Sequence, residues 1–181
     1  VGVYAESVRI ESPVELVADG EVKIVNGKGA PLSVDHHAFI RGFHLEAGHD
    51  EKDGTMQAVW IGDNFAKLVD CTMRTERCAI YAGKDGANVF VEGCRAIEPS
   101  IHGVLAQEGA HIAVTDTVIE SPKGCGVLGE GNGEMFLEDV RVVGAEQPSI
   151  SFRGETKAEV LRLRVERAGA NGIEVLGSAT A

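Results

Sequence analysis

Two cysteines and a histidine recur at one position of successive repeats in this chain. Cys78, His102 and Cys125 each stand two residues before the first apolar residue of a strand-like segment. A thiol beside an imidazole can supply a thiolate nucleophile, and a Cys/His trio can supply zinc ligands. Cys78, His102 and Cys125 are therefore the weak catalytic candidates of the sequence.

Two observations count against that chemistry. If the three residues stack on successive strands, the two cysteines are two strand spacings apart, roughly 9.6 Å, which is too far for shared zinc ligation. No oxyanion donor or orienting acid is evident near them. The ordinary alternative is a column of turn residues, and the sequence predicts neither a metal nor a cofactor.

Acidic residues and histidines also cluster between residues 35 and 54. Asp35, His36, His37 and His44 precede a run from Glu46 that includes two aspartates and His49. Adjacent histidines on a strand point to opposite sides, and the calcium-loop spacing is absent. We interpret the 46–57 stretch as a solvated loop inserted into a coil.

Cys71 and Cys94 form a second thiol pair. They occupy the same inward position of adjacent repeats, where a stacking distance of roughly 4.8 Å lies within disulfide range. Buried free cysteine is common, so we expect two reduced thiols in the core.

A repeat of 23 residues must position all these groups. Its first apolar block begins at Leu68, Val91, Val114, Leu137 and Val160, each 23 residues after the last. A second block recurs in phase as Val59-Trp-Ile61, Ile80-Tyr-Ala82, Val104-Leu-Ala106, Val127-Leu-Gly129, Ile150-Ser-Phe152 and Ile173-Glu-Val175. The blocks alternate apolar and polar residues with period two, which indicates strands and no helix.

These periods predict an all-β fold, a right-handed parallel β-helix of about seven to eight coils with three short strands per coil. The bend between two of the strands carries a ladder of small or acidic residues that tolerate left-handed backbone. The ladder is Gly42, Asp70, Gly93, Asp116 and Asp139, and Arg162 breaks it in the last coil. The alternative is a leucine-rich repeat, although a second strand stands where that fold needs a helix.

The chain is predicted to be a single domain over residues 1–181 and a fragment of a larger protein. Residues 1–35 hold irregular coils whose strands are broken at Pro13, Asp19-Gly20 and Asn26-Gly27; 36–64 form a coil with the inserted loop; 65–181 hold the regular repeats. The sequence contains no signal peptide and no apolar run of membrane-spanning length, which favours a cytoplasmic location.

A formal net charge of −11 argues against nucleic acid and anionic membrane partners. The more informative surface is the outward position of the second block. There a row of large apolar side chains stands where a free surface is normally polar: Trp60, Tyr81, Leu105 and Leu128. This apolar stripe could stack on sugar rings, seat a protein partner or a second copy, or be covered by another part of the protein. A second outward line contains Phe39, Phe90 and Phe136, interrupted by Lys67 and Ala113.

The opening Gly2-Val-Tyr4-Ala-Glu6, together with the coil pattern, resembles pectin-lyase-like β-helices. The resemblance covers essentially the whole chain and implies the fold. The class includes lyases, hydrolases, epimerases and binding modules, so the activity stays open. Similar polygalacturonases carry an aspartate pair just before the second-block strand, but Ser100-Ile-His102-Gly103 and Gly124-Cys125-Gly126 stand there, so the acid pair is missing.

We therefore expect a non-catalytic interaction module that binds a protein partner or self-assembles through the apolar stripe. The alternative is a carbohydrate-active enzyme or polysaccharide-binding domain. Whether the chain is an enzyme stays open at this point, and the sequence favours a protein without enzymatic activity.

Overall fold

The computed structural model describes residues 2–48, 57–83 and 85–181, and these form β-strands without a helix. In chain order the strands are β1 (Gly2–Tyr4), β2 (Val8–Ile10), β3 (Val14–Asn26), β4 (Leu32–Val34), β5 (Ala38–Ala47), β6 (Val59–Ile61), β7 (Phe65–Val69), β8 (Thr72–Thr75), β9 (Ile80–Ala82), β10 (Asn88–Glu92), β11 (Arg95–Ile97), β12 (Val104–Ala106), β13 (His111–Thr115), β14 (Val118–Glu120), β15 (Val127–Gly131), β16 (Glu134–Glu138), β17 (Arg141–Val143), β18 (Ile150–Gly154), β19 (Lys157–Leu161), β20 (Arg164–Glu166) and β21 (Ile173–Gly177).

The strands stack into three faces of a parallel solenoid. Face 1 is an eight-stranded sheet in the order β2-β4-β6-β9-β12-β15-β18-β21. Face 2 contains the first part of β3 and of β5, followed by β7, β10, β13, β16 and β19; face 3 contains the later parts of β3 and β5 with β1, β8, β11, β14, β17 and β20. Every pairing between named strands is parallel. The all-β solenoid with a repeat of about 23 residues is confirmed.

The 23-residue period places equivalent side chains directly above one another. Leu68 pairs with Val91, Val91 with Val114 and Val114 with Leu137, and each of these side chains is at most 1% exposed. One continuous apolar core therefore runs through the coils. Because each coil buries its inward residues only against its neighbours, the core can extend without a helix to cover it.

The predicted corner ladder adopts the left-handed backbone that its residue types suggested. Asp70, Asp116 and Asp139 have φ angles of 52°, 48° and 53°. Arg162 was predicted to break this ladder. It departs from the Gly and Asp residues of the ladder, but its backbone is left-handed like theirs, with a φ of 51°. Its guanidinium lies 2.7 Å (Nε to Oδ1) from Asp139 one coil before. We infer that the paired strands on either side impose the corner conformation and that this ion pair favours it.

The predicted break at Asp19-Gly20 is a corner between faces 2 and 3, where Gly20 has a φ of 81°, but the two predicted strands join into one. β3 is continuous from Val14 to Asn26, and the irregularity is a shift in register against β5 between Val17 and Val22. The neighbouring β5 runs unbroken round the same corner and offers ladder partners on both sides of the shift. Four residues of β3 thus stand opposite the single residue Gly42 of β5, and the three extra residues are accommodated as a bulge.

Candidate functional site

The outward surface of face 1 contains a groove of about 450 Å³. It runs across the rungs of β6, β9, β12, β15 and β18. Its lining combines the predicted apolar stripe, part of the predicted thiol column and a set of polar side chains: Gln57, Trp60, Arg77, Cys78, Tyr81, Ile101, His102, Leu105, Gln107, Leu128, Glu130 and Arg153. The structure therefore brings the predicted binding residues and two of the predicted catalytic candidates into one concave surface.

The apolar stripe is stacked in the predicted register. Trp60 pairs with Tyr81, Tyr81 with Leu105 and Leu105 with Leu128 on successive strands. The first three side chains are half-buried, and Leu128 is only 3% exposed. The stripe is thus the floor of a groove rather than a protruding apolar ridge.

Two glycines let the aromatic rings fold down onto the sheet. A Cβ atom at Gly83 would lie 2.1 Å from the Tyr81 hydroxyl oxygen and 2.2 Å from ring carbons, so the ring occupies the space that a side chain would need. At Gly62 a Cβ atom would lie 3.2 Å from Trp60. Each ring extends along its own strand over the residue two positions later, which leaves one broad surface of the groove aromatic.

Polar side chains continue from Tyr81 in an unbroken hydrogen-bonded chain. The Tyr81 hydroxyl donates to Gln107 Oε1 at 3.0 Å, and Gln107 Nε2 donates to Glu130 Oε2 at 2.7 Å. Arg153 then donates from Nη1 to Glu130 Oε1 at 3.4 Å. Burial raises the pKa of Tyr81, with Glu108 and Cys78 adding to the shift, so the phenol keeps the proton that it donates.

The chain ends at the next rung of the same face. Arg153 Nε donates to Ser151 Oγ at 3.2 Å, and Ser151 Oγ donates to Glu174 Oε2 at 3.1 Å. Mutual hydrogen bonds fix the orientation of these groups before any ligand arrives, and such preorganisation lowers the entropy lost on binding.

A buried acceptor at the other end of the groove has no hydrogen-bond partner in the described part of the chain. The Gln57 side chain is 8% exposed, and its Oε1 accepts no hydrogen bond from any described residue. An unsatisfied buried polar atom costs about 1–3 kcal/mol. The Oε1 atom itself has almost no accessible surface, so it lies beneath the surface of the groove.

Cys78, His102 and Cys125 stack on successive rungs as predicted. The backbone N–H groups of Ala79 and Gly103 donate to the carbonyl oxygens of His102 and Cys125 at 3.1 and 3.2 Å. His102 Nδ1 accepts the Cys125 N–H at 2.9 Å. A neutral His102 therefore carries its proton on Nε2.

Gly124 makes this close approach possible, because a Cβ atom there would lie 2.7 Å from His102 Nδ1. Burial lowers the pKa of His102. Burial also raises the pKa of Cys78 and of Cys125 to about 11 each. Since a thiolate is the reactive species, these two cysteines have the properties of protonated structural thiols. The trio holds a turn column in place, and His102 offers an Nε2–H donor beside the groove.

Cys71 and Cys94 lie in the core on adjacent coils, and both are free thiols at most 2% exposed. Their mutual hydrogen bond, together with burial, raises the pKa of Cys94. The expectation of two reduced core thiols agrees with this arrangement.

Among the described residues, no group of three or more His, Cys, Asp or Glu side chains converges. Most of the predicted inserted loop, residues 49–56, lies outside the described residues. Asp35 is instead engaged by Arg9, whose Nε donates to it at 2.6 Å.

Sequence reasoning missed Gln107, Glu130 and Arg153. The signal was present, because the three residues are spaced by 23 and follow the inward residue of each second-block strand. They lie just beyond the three-residue windows used to define those strands. Extending the windows by one residue would have placed them on the same outward surface as the stripe.

The model of a protein family described as the right-handed β-helix region matches residues 57–181. The chain belongs to the right-handed β-helix family. The matched part begins at Gln57 and contains the whole groove of face 1, and the family assignment agrees with the handedness and fold expected from the repeat. A search of curated proteins found no significant match. No helix of the described residues is long and apolar enough to cross a membrane.

Proposed function

We propose that this right-handed β-helix is a non-catalytic binding module and that the groove of face 1 holds an uncharged oligosaccharide. The observation that carries the proposal is the hydrogen-bonded chain Tyr81–Gln107–Glu130–Arg153 lying beside an aromatic and aliphatic floor. Sugar rings present apolar C–H faces and hydroxyl edges, so they require both kinds of surface side by side.

The dimensions of the groove support a ligand of this kind. Its volume of about 450 Å³ is that of a ligand site rather than a protein interface. From β6 to β18 it crosses four rung spacings, roughly 19 Å. The rung spacing is close to the length of one pyranose unit in a linear chain, so successive rings would meet successive rungs.

The groove carries charged side chains of both signs, Arg77 and Arg153 with Glu130, together with neutral polar groups that suit hydroxyl groups. His102 supplies an Nε2–H donor beside the groove, and a hydroxyl group can accept from it. Glu130 lies between the aromatic end and Arg153, and Arg153 is already engaged by Glu130 and Ser151. A polyanionic ligand would meet that carboxylate and the overall charge of −11.

The side chains of the groove also support the non-catalytic assignment. The Cys78 thiol holds its proton because its pKa is about 11. Glu130 is engaged on both oxygens by Gln107 and Arg153, so the described residues that line the groove offer no pair of free carboxylates for glycoside hydrolysis.

A protein partner on the apolar stripe is less well supported. A standard protein interface buries about 800 Å² on each side around protruding anchors. None of Trp60, Tyr81, Leu105 and Leu128 is among the large apolar side chains that protrude most. This partner remains a prediction of the sequence and an outcome that the following test can reveal.

The test is calorimetric titration with linear tetrasaccharides that differ in ring stereochemistry, N-acetylation and carboxylation. We expect at least one uncharged member to bind the wild type, and Tyr81→Ala and Gln107→Leu to weaken it at least tenfold. Phe136→Ala, an aromatic loss on face 2, is the matched control and should leave affinity unchanged. Equal loss in all three variants, or selective binding of the carboxylated members, would overturn the proposal, as would no binding by any member.

A further inference from the structure

Face 2 carries large apolar side chains that are exposed on its outward surface. Phe65, Phe90 and Leu161 are 38%, 39% and 37% exposed. The rings of Phe65 and Phe90 lie 5.6 Å apart. A contiguous aromatic surface of this kind on a sheet marks an interaction site.

The outward residues in the centre of face 2 form a column that would complement the same column of a second copy running in the opposite direction. From β7 to β19 it reads Lys67, Phe90, Ala113, Phe136 and Glu159, one residue on each rung. When a second column is placed opposite the first in reverse order about Ala113, each phenylalanine lies opposite a phenylalanine, and the lysine lies opposite the glutamate. The small central residue leaves room between two aromatic rings, and a groove of about 430 Å³ lies there.

We propose that face 2 is the dimer interface of this chain, with a second copy packed on it about a two-fold axis that runs along β13. Such an axis reverses the order of the rungs and keeps the position along each strand. It therefore places Phe90 opposite the second copy's Phe136, and Lys67 opposite its Glu159. The contact is isologous, so each pair occurs twice.

The two flanking columns fit the same axis. Phe65 lies opposite Lys157 of the second copy, a cation–π pair, and Val69 lies opposite Leu161, an apolar pair. Glu134 faces Asn88, whose amide can donate to it. These columns follow the registers of β7, β10, β13, β16 and β19.

The charges of the single chain are compatible with this arrangement. Glu159 makes no ion pair with a described residue, so it is available to the second copy's Lys67, which in the single chain is paired with Glu92 at 2.7 Å. The one like-charged pair is Glu92 opposite Glu138. Glu138 is already neutralised within its own chain by Arg162, which reduces the repulsion between the two carboxylates.

The size of face 2 predicts a weak dimer. Five rungs of five-residue strands cover about 400 Å² on each copy, roughly half of the area that a standard interface buries per partner. Association should therefore depend on concentration. The inference is independent of the proposed function, because no residue of face 1 takes part.

Sedimentation equilibrium over a wide concentration range tests the interface. Ala113→Arg places two guanidinium groups together on the axis, and we expect it to weaken dimerisation at least a hundredfold. Ile97→Arg adds the same charge at a half-buried outward position of face 3 and should leave the dimer intact. A wild type that stays monomeric at millimolar concentration overturns the proposal, and so does a dimer that survives Ala113→Arg.

A mixing experiment tests the axis itself. Lys67→Glu and Glu159→Lys should each weaken self-association by about tenfold, because each creates two like-charged contacts. In an equimolar mixture of the two variants every one of these contacts is again attractive, so mixed dimers should form with near wild-type affinity. If the mixture associates no better than either variant alone, the two chains do not meet about β13, and the proposed axis is wrong.

Discussion

Face 1 and face 2 have the same backbone and nearly the same repeat, yet they treat their outward side chains differently. On face 1, Tyr81 folds over Gly83 and hydrogen bonds to Gln107, and Leu128 is 3% exposed. On face 2, Phe65 and Phe90 stand 38% and 39% exposed. For the aromatic rings the difference follows from the residue two positions later, since glycine at position 83 leaves room for the Tyr81 ring, whereas Lys67 and Glu92 follow Phe65 and Phe90.

Parallel strand pairing therefore fixes the position at which each side chain leaves the backbone, but it does not fix how far that side chain protrudes into solvent. Face 1 uses glycines and a polar chain to build a concave, preorganised surface suited to a small ligand. Face 2 leaves its rings standing in an order suited to a flat partner. The predictions that follow test this contrast through matched changes on the two faces.

The largest difference should come from removing one outward apolar side chain on each face. Leu128→Ala should lower the free energy of unfolding by about 2–3 kcal/mol, as for a core leucine. Phe90→Ala should cost less than about 1 kcal/mol in the monomer, since 39% of the residue is already exposed. Chemical denaturation at low protein concentration measures both. Equal costs would show that the two faces bury their outward side chains alike.

A histidine on each face gives the next contrast. His102→Ala should cost about 1–2 kcal/mol because it leaves the buried Cys125 N–H without its acceptor. His102→Asn should recover part of this loss, since its side-chain oxygen can accept in the same place. His111→Ala, at an exposed position of face 2, should have little effect.

The pH dependence sharpens the histidine contrast. Burial lowers the pKa of His102 in the folded chain below the ordinary value of 6.5, so the unfolded chain binds a proton more readily. Stability should therefore fall as the pH drops below about 6.5, and this part of the loss should be absent in His102→Ala. Parallel pH curves for the two proteins, from thermal unfolding, would contradict the assignment.

The smallest change concerns the glycine under Tyr81. Gly83→Ala should displace the ring, cost about 1 kcal/mol and weaken oligosaccharide binding. Gly172→Ala is the matched control on the same face, because a Cβ atom there meets nothing within 4 Å. It should leave binding unchanged and raise stability slightly, if at all. Denaturation and calorimetry of both variants provide the comparison.

The repeat alone predicted the solenoid, the stacking of Cys78, His102 and Cys125, and the outward column from Trp60 to Leu128. Each of these depends on spacing, and parallel pairing converts equal spacing directly into contact. The continuous course of β3 past Asp19-Gly20 was not predictable from local turn chemistry, because β5 beside it provides ladder partners on both sides of the register shift. Likewise Arg162 keeps the left-handed corner through its neighbours, against its own preference.

The candidate site was only partly predictable. Its apolar floor is visible in the alternation of each strand. The link from Tyr81 through Gln107 to Glu130 depends on side-chain rotamers across three rungs, and spacing does not encode them. The unpaired Gln57 Oε1 became visible only when burial and hydrogen bonds were known. The residues of the self-complementary column on face 2 can be read from the sequence. Their order becomes apparent only when the register of the strands is known.

The most direct test of separate roles for the two faces is one set of amide NMR spectra, recorded on dilution and then on addition of the tetrasaccharide that binds best. We predict that dilution shifts resonances of β10, β13 and β16, whereas the sugar shifts those of β9, β12 and β15 and the side-chain amides of Gln57 and Gln107. The account would be contradicted if both treatments moved the same resonances, or if the sugar moved those of face 2.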